Sequence, residues 1–445
     1  MNLLIVNEGL NHIAATIFQN LDLKALLACR NVNSIFRKVL NCPTIWINRL
    51  QPCDKNKYDM KEKWLEVLDK ARRPPTQQFN SASSKMIELS MTNCLVKLYQ
   101  EKVFKNKTCH EPSLAHIAAR FGEVEFLDFV KNILSEDDFN YHCSGYLPIH
   151  EAGRTGQLAV IEYFHQRKAD IFVSGRKGYN IVHLAAANGH LNILKYVHQS
   201  AGDYYDMDSA TSNGKSPIYL ASENNHLDVV KYLLSLCKDI LQPNHKGLSP
   251  LHIASKNGNL LIVQLLAKLT EFPNAPTYAG MTPIHFAAWK GHIDVLKILV
   301  PISRNILLTF NIHGWNPLHL ATLSGNVEVV KYLCENSDLI EISNPISGAN
   351  AVHYAACSGY LEILKFLVPK FRKHIIIPSS NGLTPIHSAV LNGHSEVVEY
   401  LYHLTSTPNQ PIINRPQSTP LELAKSQNNK KVVDTILRLN RELKM

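Results

Sequence analysis

The side chains of this 445-residue sequence best suited to ligating a metal or moving a proton are its 21 histidines and nine cysteines. A structural metal site draws its donors from closely spaced pairs, such as two cysteines or histidines a few residues apart. Histidine recurs here at wide, even intervals instead, at His116, His150, His183, His252, His285, His319, His353 and His387. Tyr219 and Glu422 fill the two places where it is missing, and the successive steps are 34, 33, 36, 33, 33, 34, 34, 34 and 35 residues. Four more histidines, His190, His226, His292 and His394, stand at or near a second recurring position. Such regularity points to a repeated structural task, a hydrogen bond to backbone across a turn, and no metal site is expected. The cysteines are odd in number, scattered, and form no CxxC pair, so neither a zinc ribbon nor a disulfide framework is indicated. A reducing compartment, cytoplasmic or nuclear, is the expectation. Gly175-Arg176-Lys177-Gly178 lacks the flanking strand and the Gly-Lys-Ser/Thr ending of a phosphate loop. The Ser and Thr residues ahead of helical stretches have no base at a matching position. No catalytic constellation is legible, and neither enzyme activity nor a cofactor is expected.

The elements that position these histidines repeat with them. The stretch is clearest at Thr282-Pro283-Ile284-His285-Phe286-Ala287-Ala288-Trp289-Lys290-Gly291-His292. Proline at the first helical position (Pro217, Pro250, Pro283, Pro317, Pro385) costs nothing, because the amide it lacks would have no partner. Ser216, Ser249, Thr282 and Thr384 precede it as candidate caps. Paired alanines such as Ala186-Ala187 and Ala287-Ala288 keep one face small, so neighbouring helices can approach closely. Gly189, Gly258, Gly291, Gly325, Gly359 and Gly393 stand where a left-handed residue ends the helix. A second helix then shows apolar spacing, as in Val229, Val230, Leu233 and Leu234. A period near 33 residues with a Thr-Pro-Leu-His-x-Ala signature resembles the ankyrin repeat. About ten copies cover residues 105–445. The fold expected is all-α, a solenoid of about ten helix–turn–helix units in which no unit buries its own apolar face. The polar-faced segment from Lys425 to Met445, with Val432, Val433, Ile436 and Leu437 on one side, reads as the C-terminal cap.

Residues 9–50 follow another pattern. Ile13, Ile17, Leu21, Leu26, Leu27, Val32, Phe36, Val39 and Leu40 fit three short helices. With Leu21-Asp22, Phe36-Arg37 and the closing Pro43-x-Ile45-Trp46, the segment resembles an F-box. It departs from the family in offering Gly9-Leu10 where Leu-Pro is usual and Ala25 where an aspartate is usual. The expected organisation is an F-box-like domain at 5–50, a basic helical linker and N-terminal cap at 51–104, and the repeats at 105–445. In the linker, Trp64, Leu65 and Leu68 mark one short amphipathic helix, which Arg72-Arg73-Pro74-Pro75 stops. Met86 to Val103 marks another.

The net charge of +9 is uneven: residues 1–112 hold 17 Lys and Arg against 10 Asp and Glu, the remainder 29 against 27. A nearly neutral array argues against nucleic-acid binding there, and the basic N-terminal quarter suits an acidic partner. No apolar run is long enough to span a membrane.

The two resemblances imply a substrate-recognition subunit of a Skp–cullin–F-box ubiquitin ligase. Leu10, Ile13, Leu21, Leu26, Leu27, Val32, Pro43 and Trp46 would bind the adaptor. The concave ankyrin face would bind an unidentified target protein, through residues that vary between units: Tyr146, Tyr179, Leu248, Met281, Trp289, Trp315 and Leu323. Trp289, Trp315, Met281 and Leu323 fall in two neighbouring units and are expected within reach of one another. Exposed large apolar residues so grouped mark an interaction patch; the alternative is that they only pack finger against finger. A scaffold using the array alone is the other functional reading.

Overall fold

Ten signature stretches open ten helices, each set by its proline or cap. The computed structural model describes residues 113–445 apart from 125–126, 129–130, 132–141, 202–206, 237–240, 303–308, 337–341, 406–407, 413–417 and 443–445. The F-box-like segment, the linker and all eight expected adaptor-binding residues lie outside the described residues. The chain divides into two units, Met1–Asp206 and Met207–Met445.

In the first unit, α1 (Leu114–Phe121), α2 (Pro148–Thr155), α3 (Leu158–Gln166), α4 (Ile181–Asn188) and α5 (Leu191–Ala201) follow one another. The first helices α1, α2 and α4 pack in sequence, and α3 lies against α5. In the second unit the first helices are paired with second helices behind them: α6 (Pro217–Glu223) with α7 (Leu227–Leu234), α8 (Pro250–Asn257) with α9 (Leu260–Leu269), α10 (Pro283–Lys290) with α11 (Ile293–Leu299). Then come α12 (Pro317–Leu323) with α13 (Val327–Asn336), α14 (Ala351–Ser358) with α15 (Leu361–Lys370), α16 (Pro385–Leu391) with α17 (Ser395–Leu404), and α18 (Pro420–Ser426) with α19 (Lys430–Glu442). Each first helix packs on the next first helix, and each second helix on the next second helix. Among the described residues there is no strand; an antiparallel bridge joins Cys143 and Tyr146.

Local chemistry explains these boundaries. Ser216, Ser249 and Thr282 accept the N–H three residues on, and so do Asn180, Asn316 and Asn350, an asparagine version of the cap. The six expected glycines that follow first helices, with Gly122 and Gly156 in the same place, have φ between 75° and 83°, where a Cβ would be strained. The alanines face the neighbouring helix: Ala287 and Ala288 are fully buried, as are Leu296 and Leu299 behind them. Each such leucine contributes roughly 1.5–3 kcal/mol of apolar burial. In α19 the buried stripe is Val432, Ile436 and Leu439, while Leu437 is exposed, so the inner face is turned from the expected set. The observed stripe follows i, i+4, i+7 spacing, which the expected set did not.

Candidate functional site

The repeated histidine is a building element. The backbone N–H of Thr282 donates to His285 Nδ1 (3.3 Å), and the Thr282 hydroxyl lies 2.8 Å from the same atom. Because Nδ1 accepts, the proton sits on Nε2, which donates to a carbonyl in the finger of the following unit. His285 reaches Trp315 O (3.2 Å), His319 Ile342 O (3.1 Å), His353 Leu383 O (3.0 Å) and His387 Gln410 O (3.0 Å). The bond expected across a turn is therefore also a bond between units. Burial pushes His116, His252, His285, His319 and His353 down to about 4, so they are neutral at pH 7. In the final unit Glu422 does the same capping work, its Oε2 accepting from Thr419 N–H and hydroxyl, both at 2.9 Å. Among the described residues no three His, Cys, Asp or Glu stand together as metal ligands, and no helix is long and apolar enough to cross a membrane.

The face built by fingers and first helices offers a place for a partner. The fingers are turned by asparagine or threonine: Asn311 Oδ1 accepts from His313 N and Trp315 N, both at 3.0 Å, Asn344 Oδ1 accepts from Ile346 N (2.8 Å) and Ser347 N (3.1 Å), and Thr277 Oγ1 accepts from Met281 N (3.1 Å). The turn throws the residue two before the finger glycine outward. Tyr278, Ile312 and Ile346 hold that position in three successive units and are 75%, 61% and 64% exposed. Beside Ile312 and Ile346, but not Tyr278, opens a groove of about 440 Å³ lined by Ile312, His313, Trp315, Asn344, Ile346, Ser347, Ala349, His353, Tyr354, Cys357, Ser379, Asn381, Leu383 and Ser388. Its polar floor centres on the Tyr354 hydroxyl. That oxygen accepts from the Trp315 indole N–H (3.1 Å) and from Asn344 Nδ2 (2.8 Å), leaving its proton for Ser347 Oγ at 3.3 Å.

The expected target-binding residues divide. Trp315 lines the groove, half-buried, with partners in the unit that follows it. Trp289 is 40% exposed near the end of α10, with the Lys290 ammonium 4.5 Å above its ring. Met281 turns toward the next finger, its sulfur 3.2 Å from Asn311 Nδ2; Leu248 and Leu323 are half-buried. In the first unit Tyr146 packs edge-on to His150 and Tyr179 lies 5.9 Å from His183. There Glu151 receives Arg120 (3.0 Å) and Arg154 (2.6 Å); burial alone would raise its carboxyl, but the two guanidinium groups outweigh it and hold the group low. The fingertip row of Tyr278, Ile312 and Ile346 was missed by reading only residues after the finger glycine. The signal available was two isoleucines and a tyrosine two residues before three successive glycines.

Stacked helix pairs with turned fingers, a capping histidine and a groove on one face define a repeat protein of the ankyrin class. A family model of ankyrin repeats (three copies) matches residues 168–244, 235–309, 273–341, 304–377 and 339–412, more than half of the chain, and the chain belongs to that family. The matched segments do not include residues 5–50. No curated protein matches the chain.

Proposed function

We propose that this chain is a recognition subunit that holds a target protein on its finger-and-first-helix face and carries no chemistry of its own. The observation that supports the target half is the groove of Ile312, Trp315, Ile346, Tyr354 and Leu383, which holds no Asp, Glu, Lys or Arg and sets apolar side chains beside neutral hydroxyl and amide groups. A pocket of this composition suits a buried apolar or aromatic anchor side chain. In the finer reading, residues 5–50 dock the subunit on the F-box-binding adaptor of a cullin–RING ligase, and the target is ubiquitinated. That half rests on Leu21, Leu26, Leu27, Val32, Pro43 and Trp46 and on the basic balance of residues 1–112. The family match covers repeats alone, which favours as second reading a scaffold that binds its partner without a ligase. Replacing Leu26 and Trp46 by alanine separates the two: each truncation removes apolar contact worth roughly 2–5 kcal/mol where it is buried. Adaptor recovery should vanish while the circular dichroism of the array is kept. Equal adaptor recovery from the double variant removes the ligase half and leaves the scaffold.

A further inference from the structure

The near-neutral charge of the array conceals a division along its face. Groove lining shows which repeat positions share that face: residues seven, six and four before the signature histidine, and one and four after it. In the unit of α8 these positions carry Lys246 and Lys256; in the next unit the last of them is Trp289, and Lys290, one residue further on, holds its ammonium 4.5 Å over that ring. Among the described residues these three lysines have no carboxylate partner, whereas Lys215 in the preceding unit is matched by Glu223 at 2.7 Å. The next three units are different: 309–326, 342–359 and 378–393 contain no Asp, Glu, Lys or Arg at all. Three acids of this part of the chain stand on second helices, each paired with a lysine there: Asp294 with Lys297, Glu328 with Lys331, Glu362 with Lys365. From α8 to α16, lysines without carboxylate partners therefore stand at one end of this face and apolar surface without charge at the other.

We infer that the occupant is an extended segment of a partner protein, acidic at the end lying along Lys246, Lys256 and Lys290 and bearing an uncharged apolar or aromatic side chain at the end that enters the groove of Ile312, Trp315 and Ile346. This rests on the recognition function proposed above and specifies its chemistry and direction. Packed helices lie roughly 8–10 Å apart, so the three steps from α8 to α14 span on the order of 25–30 Å. An extended chain covers that in about eight or nine residues. Complementary charge sets encounter and orientation at one end, and desolvation of the anchor holds the other. The uncharged half speaks against a nucleic-acid backbone, whose phosphates would need cations along the whole track.

The test is selection of a displayed random peptide library, about 16 residues long to cover the span, on the full chain. Selected peptides should carry several Asp or Glu separated by about eight residues from an aromatic or large aliphatic residue. Their affinity should fall with added salt, and the triple variant Lys246→Glu/Lys256→Glu/Lys290→Glu should weaken them by about tenfold or more and select basic peptides instead. Peptides that depend on Ile346 (lost with Ile346→Ser) but show no acidic enrichment and bind the triple variant equally well overturn this inference while leaving the recognition surface standing. Peptides indifferent to both Ile346→Ser and the charge reversal, or poly(U) outcompeting every selected peptide at physiological salt, overturn both.

Discussion

Trp315 ties three units together and, in the proposed function, also meets the target. Its carbonyl is held by His285 of the unit before, its amide by Asn311 of its own finger, and its indole N–H by Tyr354 of the unit after. The ring is what remains for the groove. Trp315→Ala should weaken target binding by roughly 2 kcal/mol or more, the range of an interface hot spot, while Trp315→Phe keeps much of it. By contrast Leu299→Ala, truncating a fully buried residue of α11, should cost about 2–5 kcal/mol of stability and leave affinity for the folded fraction unchanged. Parallel melts and titrations of these variants separate the roles; an affinity loss from Leu299→Ala alone would contradict the assignment. The histidines make a second prediction at this scale. Their protons bind the unfolded chain near the ordinary 6.5 and the folded chain only near 4. Stability is thus complete above pH 6.5 and is lost as pH falls from 6.5 toward 4, by about 1.4 kcal/mol per pH unit for each histidine fully protonated in the unfolded state alone. Urea melts across that window check it, and a flat profile would contradict the neutral capping role.

At the scale of the element, the helices were legible because their signals are local. Proline, cap and terminal glycine sit in one eleven-residue sentence, and repetition averaged out its errors. Asn180, Asn316 and Asn350 escaped notice as caps only because attention went to Ser and Thr, although the amide oxygen does the same work. The fingers were harder to read. Whether Ile312 or Ile346 points out depends on the asparagine turn beneath it and on the register of the neighbouring finger, neither of which follows helical or strand periodicity. The finger glycines are correspondingly strict. At Gly247, with φ +77°, an added Cβ would stand 2.7 Å from the backbone nitrogen of Tyr278 in the next finger. Gly247→Ala should therefore destabilise the second unit by more than the roughly 1–2 kcal/mol of the left-handed conformation alone. Thermal unfolding measures it, and a neutral effect would mean the fingers are free to separate.

For the whole molecule, the sum of charges hid what the arrangement reveals. Residues 113–445 hold 29 Lys and Arg against 27 Asp and Glu, yet the i,i+3 pairs stand on second helices while Lys246, Lys256 and Lys290 stand without a carboxylate partner in the units of α8 and α10. Trp289 ends a first helix and Trp315 sits in the finger of the next unit, so the two reach the same face from different elements. In the proposed function, target and adaptor are held by separate parts of the chain. That separation is tested most directly by quantitative affinity purification of the full chain against Trp315→Ala/Ile346→Ser and Leu26→Ala/Trp46→Ala. The groove variant should lose the target and keep the adaptor, and the N-terminal variant should do the reverse. Loss of neither partner with the groove variant would contradict the claim.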